Sequence, residues 1–208
     1  RVDDTYYMVS TTMYYFPGGA ILRSYDLVNW EIVSYIFDKL DGISEERLEN
    51  DLNAYGKGMW APSFRYHDGK FYVAFVSHNQ PDTHLFVADN IEGPWEHRKI
   101  KGYYHDCSIL FDEGRVFLVH GNTDIRLTEL SSDMSEPKKG GIDKIIISDN
   151  PSLVTLGYEG SHIYKINNKY VITLIHWPKG GMRTESVFIS DKVDGPYIGR
   201  DCLNDDRG

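Results

Sequence analysis

The sequence predicts an all-β chain organised as a β-propeller, and three observations carry that reading. The first is an internal repeat. Ser190-Asp191-Lys192-Val193-Asp194-Gly195-Pro196-Tyr197 repeats Ala88-Asp89-Asn90-Ile91-Glu92-Gly93-Pro94-Trp95, with small residue, Asp, apolar residue, acid-Gly-Pro and aromatic residue in the same order. A looser copy stands at Ser24-Tyr25-Asp26-Leu27-Val28-Asn29-Trp30 and a degenerate one at Leu130-Ser131-Ser132-Asp133-Met134-Ser135. Self-similarity on this scale marks a solenoid, propeller or array. The second observation is a recurring turn followed by an aromatic-rich strand. The third is the spacing of these units, roughly 40–50 residues, which is that of propeller blades made of several short strands. Four blades are counted, the first lacking its start.

The turn-strand units, in order, are Asp3-Asp4 before Tyr6-Tyr7-Met8-Val9, Asp68-Gly69 before Phe71-Tyr72-Val73, Glu113-Gly114 before Val116-Phe117-Leu118, and Asn167-Asn168 before Tyr170-Val171-Ile172. Such pairs between apolar runs are hairpin turns, because a tight turn needs residues that tolerate positive φ. About twenty residues after each hairpin the Asp-containing block opens a further strand. The repetition is broken between blades one and two, where residues 37–58 form an inter-blade loop insertion. Ser44-Glu45-Glu46-Arg47-Leu48 is expected to cap and begin a short helix there, while Gly42, Asn50, Asn53 and Gly56 read as loop. Long loops on a rigid scaffold carry function, so this one is expected to wall the binding cleft or to be a solvated excursion. Residues 1–208 otherwise read as a single propeller domain.

Composition narrows the ligand. Fifteen Tyr, nine Phe and four Trp make the chain aromatic-rich, and a net charge of −9 with no basic stripe argues against nucleic acid. No apolar run reaches the roughly 18–20 residues of a membrane span, so a soluble chain with no membrane partner is expected. Aromatic and acidic groups together suit neutral polyols. Cys107 and Cys202 stand at unrelated positions and read as ordinary thiols rather than a disulfide. Arg1-Val2-Asp3-Asp4 opens inside a hairpin turn and shows no signal peptide, which leaves localisation open.

Aligning the blades on their turns brings out the candidate chemistry. Trp60 and Ala61 stand eight or nine residues before Gly69, Asp106 stands eight before Gly114, and Glu159 stands nine before Asn168. Repeated positions in a ring converge on its axis, so these side chains are expected at one end of a central channel. Two carboxylates and a Trp there suit glycosidic-bond hydrolysis: one acid protonates the leaving oxygen, an ionised carboxylate activates water, and an aromatic face supports the sugar. The plainer reading is that Asp and Glu beside strand ends are turn residues, and that His105-Asp106 is a simple hydrogen-bonded pair.

Tyr55-Gly56-Lys57-Gly58-Met59-Trp60-Ala61-Pro62-Ser63-Phe64, His105-Asp106-Cys107-Ser108-Ile109-Leu110-Phe111-Asp112, Glu159-Gly160-Ser161-His162-Ile163-Tyr164-Lys165 and both Gly-Pro-aromatic blocks together resemble glycoside hydrolase family 43. The resemblance covers essentially the whole chain in order. Ser10-Thr11-Thr12-Met13 with Phe16-Pro17-Gly18-Gly19, and Gly181-Met182-Arg183-Thr184-Glu185-Ser186, look most like its β-xylosidase and α-L-arabinofuranosidase members. It implies a five-bladed propeller of which about four blades lie in this chain, and an inverting hydrolase that releases terminal xylosyl or arabinofuranosyl residues from plant cell-wall polysaccharides or oligosaccharides. On matching residues it implies Glu159 as general acid, Asp106 as the residue that orients it and modulates its pKa, and Trp60 and Met13 among the substrate contacts. The family's general base, an Asp about eight residues before the Asp-Asp turn, has no counterpart within the sequence, and Asp3 and Asp4 do not take its place. Incomplete propeller edges are expected to promote association. No organic cofactor is implied.

His78, with Asn79, follows the second strand of blade two, and His176-Trp177-Pro178 and Arg183 are expected in the loop after the second strand of blade four; His78, Trp177 and Arg183 are candidate substrate contacts. His120 and Asn122 follow the matching strand of blade three and are expected in core hydrogen bonds. Glu159-x-x-His162 has di-iron spacing, but that pairing requires a helix and further glutamates, so no metal is expected. No phosphate loop, CxxC pair or G-x-S-x-G elbow is present. The rival to an enzyme is a propeller that binds carbohydrate or protein without catalysis.

Overall fold

Turn chemistry sets the strand pairing. In the computed structural model, which describes residues 1–13 and 16–204, three of the four expected hairpins place both central residues at positive φ. The values are 45° and 77° at Asp68-Gly69, 50° and 73° at Glu113-Gly114, and 49° and 59° at Asn167-Asn168. These are the type I′ turns whose twist matches that of antiparallel strands. At the fourth, Asp3 alone takes a positive φ of 49°, enclosed by the Val2–Thr5 bridge.

The strands are β1 (Tyr6–Ser10), β2 (Gly18–Ser24), β3 (Glu31–Phe37), β4 (Ser63–His67), β5 (Lys70–Phe75), β6 (Thr83–Ala88), β7 (Glu96–Ile100), β8 (Ser108–Asp112), β9 (Arg115–His120), β10 (Asp124–Leu130), β11 (Asp143–Ser148), β12 (Val154–Ile166), β13 (Lys169–Pro178), β14 (Thr184–Ser190) and β15 (Ile198–Asn204). They form one three-stranded sheet, β1-β2-β3, and three four-stranded ones, β4-β5-β6-β7, β8-β9-β10-β11 and β12-β13-β14-β15. Every sheet is a consecutive antiparallel meander. That is the blade of a β-propeller, and the fold class is the one the repeats predict. All four copies of the Asp block join the last two strands of a blade: β2 to β3, β6 to β7, β10 to β11 and β14 to β15. In the first copy Asp26 accepts backbone N–H bonds from Val28 and Asn29, and in the degenerate copy Asp133 accepts one from Ser135. In these two copies the Asp holds its own turn, whereas in the two closer copies Asp89 and Asp191 pair with Lys70 and Lys169 of the hairpin strand.

The chain divides into two compact units, residues 1–103 and 104–208. The first has a core of Ile21, Phe37, Phe71, Val73, Phe75 and Phe86 with their neighbours, in which Phe75 and Phe86 stack at 5.8 Å. The second has a core around Phe117, Val119, Leu127, Ile163, Ile172 and Leu174. Both cysteines are free, as expected.

The segment between β3 and β4 departs from expectation. Ser44–Leu48 forms turns and no helix: Glu46 and Arg47 both donate to Ile43 O, and Leu48, Asn50 and Asp51 take positive φ, which ends any helical propagation. The segment is anchored at Leu40, Glu46 and Ala54, which are buried, while residues 48–53 are exposed.

Candidate functional site

Two carboxylates meet in the second unit because two local irregularities aim them. Asp106 lies in the turn that leads into β8, with φ 47°. Glu159 lies within β12 rather than at its opening. The β12/β13 register shifts on both sides of the Glu159↔Ile175 pair, so the strand is bulged where the glutamate projects. Gly160, at φ 66°, supplies the conformation that the bulge needs. Its N–H donates to Asp106 Oδ2 at 3.1 Å, which ties the two segments together beside Glu159.

Asn122, in the turn after β9, completes the arrangement. Its Nδ2 donates to Glu159 Oε2 at 2.7 Å, and its Oδ1 accepts from Thr123 Oγ1 at 3.0 Å, which fixes which end of the amide faces the carboxylate. Thr123 is held by its N–H bond to Tyr158 O, and a side chain at Gly157 would strike Thr123 Oγ1 at 2.3 Å. Glu159 Oε1 accepts no hydrogen bond among the described residues. The carboxylates are part-exposed, 22% for Glu159 and 11% for Asp106. Sequence reasoning assigned Asn122 to the core with His120, and the structure corrects this for Asn122 alone. His120 is buried, its Nε2 lies 2.9 Å from Thr128 Oγ1, and burial pushes its pKa down to about 4.

His105 Nε2 stands 3.7 Å from Asp106 Oδ1 and 3.9 Å from Glu159 Oε2. Both separations exceed a hydrogen bond, so the simple His105-Asp106 pair is not what forms. One donor atom each from His105, Asp106 and Glu159 lie within 4.8 Å of one another, a spacing that a cation would tolerate. In an inverting glycosidase the acid and base carboxyls stand about 6.5–9.5 Å apart. The closer approach of Asp106 and Glu159 leaves no room for water and a sugar between them, so they are not such a pair.

The remaining candidates divide. In the first unit Trp60 and His78 pack ring on ring at 4.0 Å, and Tyr103 meets the His78 ring edge-on at 6.0 Å. The Trp60 backbone N–H donates to Val76 O, and the His78 backbone N–H to Lys57 O. Met13 is half-buried and its carbonyl accepts from Gly58 N at 3.3 Å. Trp177 and His176 belong to β13 itself rather than to the loop after it, because β13 runs on to Pro178 to pair with the long β12. His176 is structural: Nδ1 lies 2.8 Å from Asp149 Oδ2, Nε2 lies 3.3 Å from Asp201 Oδ1, and its ring stacks on Tyr158 at 4.6 Å. Trp177 is 40% exposed and donates from Nε1 to Gly181 O. Arg183 is exposed just before β14. Neither Trp177 nor Arg183 bonds to the carboxylates.

A family model for glycosyl hydrolases family 43 matches residues 1–201. The chain is 30% identical over 201 residues to the non-reducing end alpha-L-arabinofuranosidase BoGH43B of Bacteroides ovatus, an alignment covering 95% of this chain and 37% of the relative. It is 29% identical over 218 residues to a beta-xylosidase of Bacillus subtilis, covering 95% of this chain and 39% of the relative. A solved structure of a bifunctional GH43-CE protein of Bacteroides eggerthii is similar at TM-score 0.91 and 40% identity, over 98% of this chain and 27% of that one. The chain therefore spans well under half the length of these relatives.

Proposed function

This chain belongs to glycosyl hydrolase family 43, and on that premise we propose that it is the propeller part of an inverting glycosidase that releases terminal xylosyl or arabinofuranosyl residues from plant cell-wall glycans. The observation that carries the reading is the paired Asp106 and Glu159 with Asn122 bound to one oxygen of the glutamate. With Oε2 accepting from Asn122, Oε1 is the oxygen left to carry the proton of the acid form. The acid is then presented in one orientation, as protonation of a leaving glycosidic oxygen requires. Asp106 holds the Gly160 N–H and thereby the backbone from which Glu159 projects, which is an orienting role. No described carboxylate is given the part of general base. Trp60 and His78 offer an aromatic face to the sugar, as neutral polyols favour, and Met13, Trp177 and Arg183 are secondary candidates for substrate contact.

The relatives' names include both a xylosidase and an arabinofuranosidase, so the pentose is left as either. Proton NMR of the first sugar released by the protein that carries this chain tests the reaction. The anomer opposite to the substrate's is expected, since water attacks directly. Retention of configuration would refute the inverting mechanism, and no turnover of any nitrophenyl pentoside would leave the carbohydrate-binding rival standing.

A further inference from the structure

A buried polar chain crosses the first unit beneath the Trp60–His78 face. Glu46, from the segment between β3 and β4, is fully buried and its Oε2 accepts from Gln80 Nε2 at 3.1 Å, while its Oε1 has no hydrogen-bond partner and lies 4.0 Å from His84 Nε2. His84 Nε2 is 3.1 Å from Ser77 Oγ, and His84 Nδ1 is 2.9 Å from His97 Nε2. Phe75 stacks on His84 at 5.0 Å and Phe86 on His97 at 4.4 Å, so neither ring has room to turn. Gly42 makes space for the carboxylate: a Cβ there would stand 2.2 Å from Glu46 Oε2. Five polar side chains from a loop, a turn and two strands, four of them buried and His97 half-buried, are costly unless each is fixed by the others.

Ser77 connects this chain to the aromatic face. It bridges Met59, while its neighbour Val76 accepts the Trp60 N–H and its other neighbour is His78, whose ring covers Trp60. Gln80 N–H returns to Ser77 O, and Lys99 Nζ reaches Gln80 Oε1 at 3.4 Å. We propose that Glu46 is a positioning residue for the Trp60–His78 face, acting through Gln80, Ser77 and His84, and so a determinant of sugar affinity at that face; the affinity part rests on the function proposed above. Burial pushes the Glu46 carboxyl above the usual carboxylate range, against the opposing pull of Ser77, Lys99 and Gln80. Burial likewise pushes His84 down to about 3, and His97 below its ordinary value. The network depends on hydrogen-bond direction for its geometry.

The test labels the protein with 5-fluorotryptophan and assigns the Trp60 fluorine resonance by its loss in Trp60→Phe. Glu46→Ala is expected to move the Trp60 resonance and leave those of Trp30, Trp95 and Trp177 in place, and to raise KM for an aryl pentoside about threefold to tenfold with a smaller change in kcat. Glu46→Gln, which keeps the shape and an acceptor for Gln80, is expected to restore both. A Trp60 resonance unmoved in folded Glu46→Ala overturns the proposal, as does a Glu46→Gln protein that behaves like the alanine variant. If Glu46→Ala does not fold, Ser77→Ala carries the same test, and an unmoved Trp60 resonance there overturns it equally. The fluorine spectrum needs no substrate, so a protein that turns over no pentoside refutes the proposed activity without deciding the role of Glu46.

Discussion

Glu129 and Glu159 stand on successive blades of the second unit and have opposite surroundings. Glu129, on β10, pairs regularly with Phe117 of β9 and is 2% exposed. Its four acceptor positions are taken by Arg115 Nε at 3.0 Å, Arg115 Nη2 at 2.6 Å, Lys138 Nζ at 2.7 Å and Ile142 N at 3.2 Å. The Arg115 guanidinium holds its carboxyl down to about 2, with Lys138 and the Ile142 N–H adding to the effect against the opposing cost of burial. Glu159 sits on a bulge, is 22% exposed, and receives one donor on one oxygen and none on the other among the described residues. A carboxylate saturated by cations is a fixed anion that ties strands together. One held by a single amide keeps a second oxygen without a donor among the described residues.

The strongest way to break this comparison is to neutralise each glutamate in turn. Glu159→Gln should lower kcat on glycosides with poor leaving groups by about 10²–10⁴-fold while leaving the melting temperature nearly unchanged. Glu129→Gln should do the reverse, costing about 1–3 kcal/mol of stability, with the half-exposed Arg115 and Lys138 limiting the loss, at little change in kcat. Steady-state kinetics and thermal melts on both variants read the contrast, and parallel losses in both would abolish it.

A second contrast separates backbone from side chain. Gly160 and Gly114 both take positive φ, 66° and 73°, and neither has a close neighbour for a Cβ, the nearest being Ile175 Cγ1 at 3.5 Å from the former. Alanine at either should cost about 1–2 kcal/mol of backbone strain. Only Gly160→Ala should also depress kcat, because relief of the strain there shifts the N–H that donates to Asp106; equal activity in the two variants would detach that bond from function.

Asn122→Ala should reduce kcat about tenfold, the scale of one hydrogen bond to a carboxyl, with no change in the melting temperature beyond a degree or so. A wild-type kcat in this variant would remove Asn122 from the site. The smallest effect concerns acid stability. The Glu129 carboxyl is lowered from 4.5 to about 2 in the folded protein, so its contribution is complete above pH 4.5 and is lost as pH falls toward 2. The melting temperature of Glu129→Gln should accordingly vary less over that interval than that of the unmodified chain.

The sequence made the blades legible because their signals are local. Asp-Gly, Glu-Gly and Asn-Asn turns and the Asp26 and Asp133 side chains act within a few residues, and the turns take the φ values their composition demands. Asp106 and Glu159 were legible as positions in that repeat. Asn122 was not, since it reaches Glu159 across 37 residues of sequence and nothing in its own neighbourhood marks it. The bulge that aims Glu159 left a trace, Gly157 and Gly160 inside an otherwise strand-like run, and isolated glycines in strands signal such bulges. The same extended β12 explains why β13 runs past the expected loop and includes His176 and Trp177. Ser44–Leu48 carried a capping pattern that burial of Glu46 and the left-handed residues after it overrode.

The central claim is that Glu159 delivers a proton to the departing oxygen. The most direct measurement compares Glu159→Gln with the unmodified protein on two pentosides of the same sugar, one with an alkyl or sugar leaving group and one with a dinitrophenyl group. A large loss of kcat/KM on the first, with most activity kept on the second, is predicted, because a weakly basic leaving oxygen needs no protonation. An equal loss on both would contradict the assignment and leave Glu159 no special part in the chemistry.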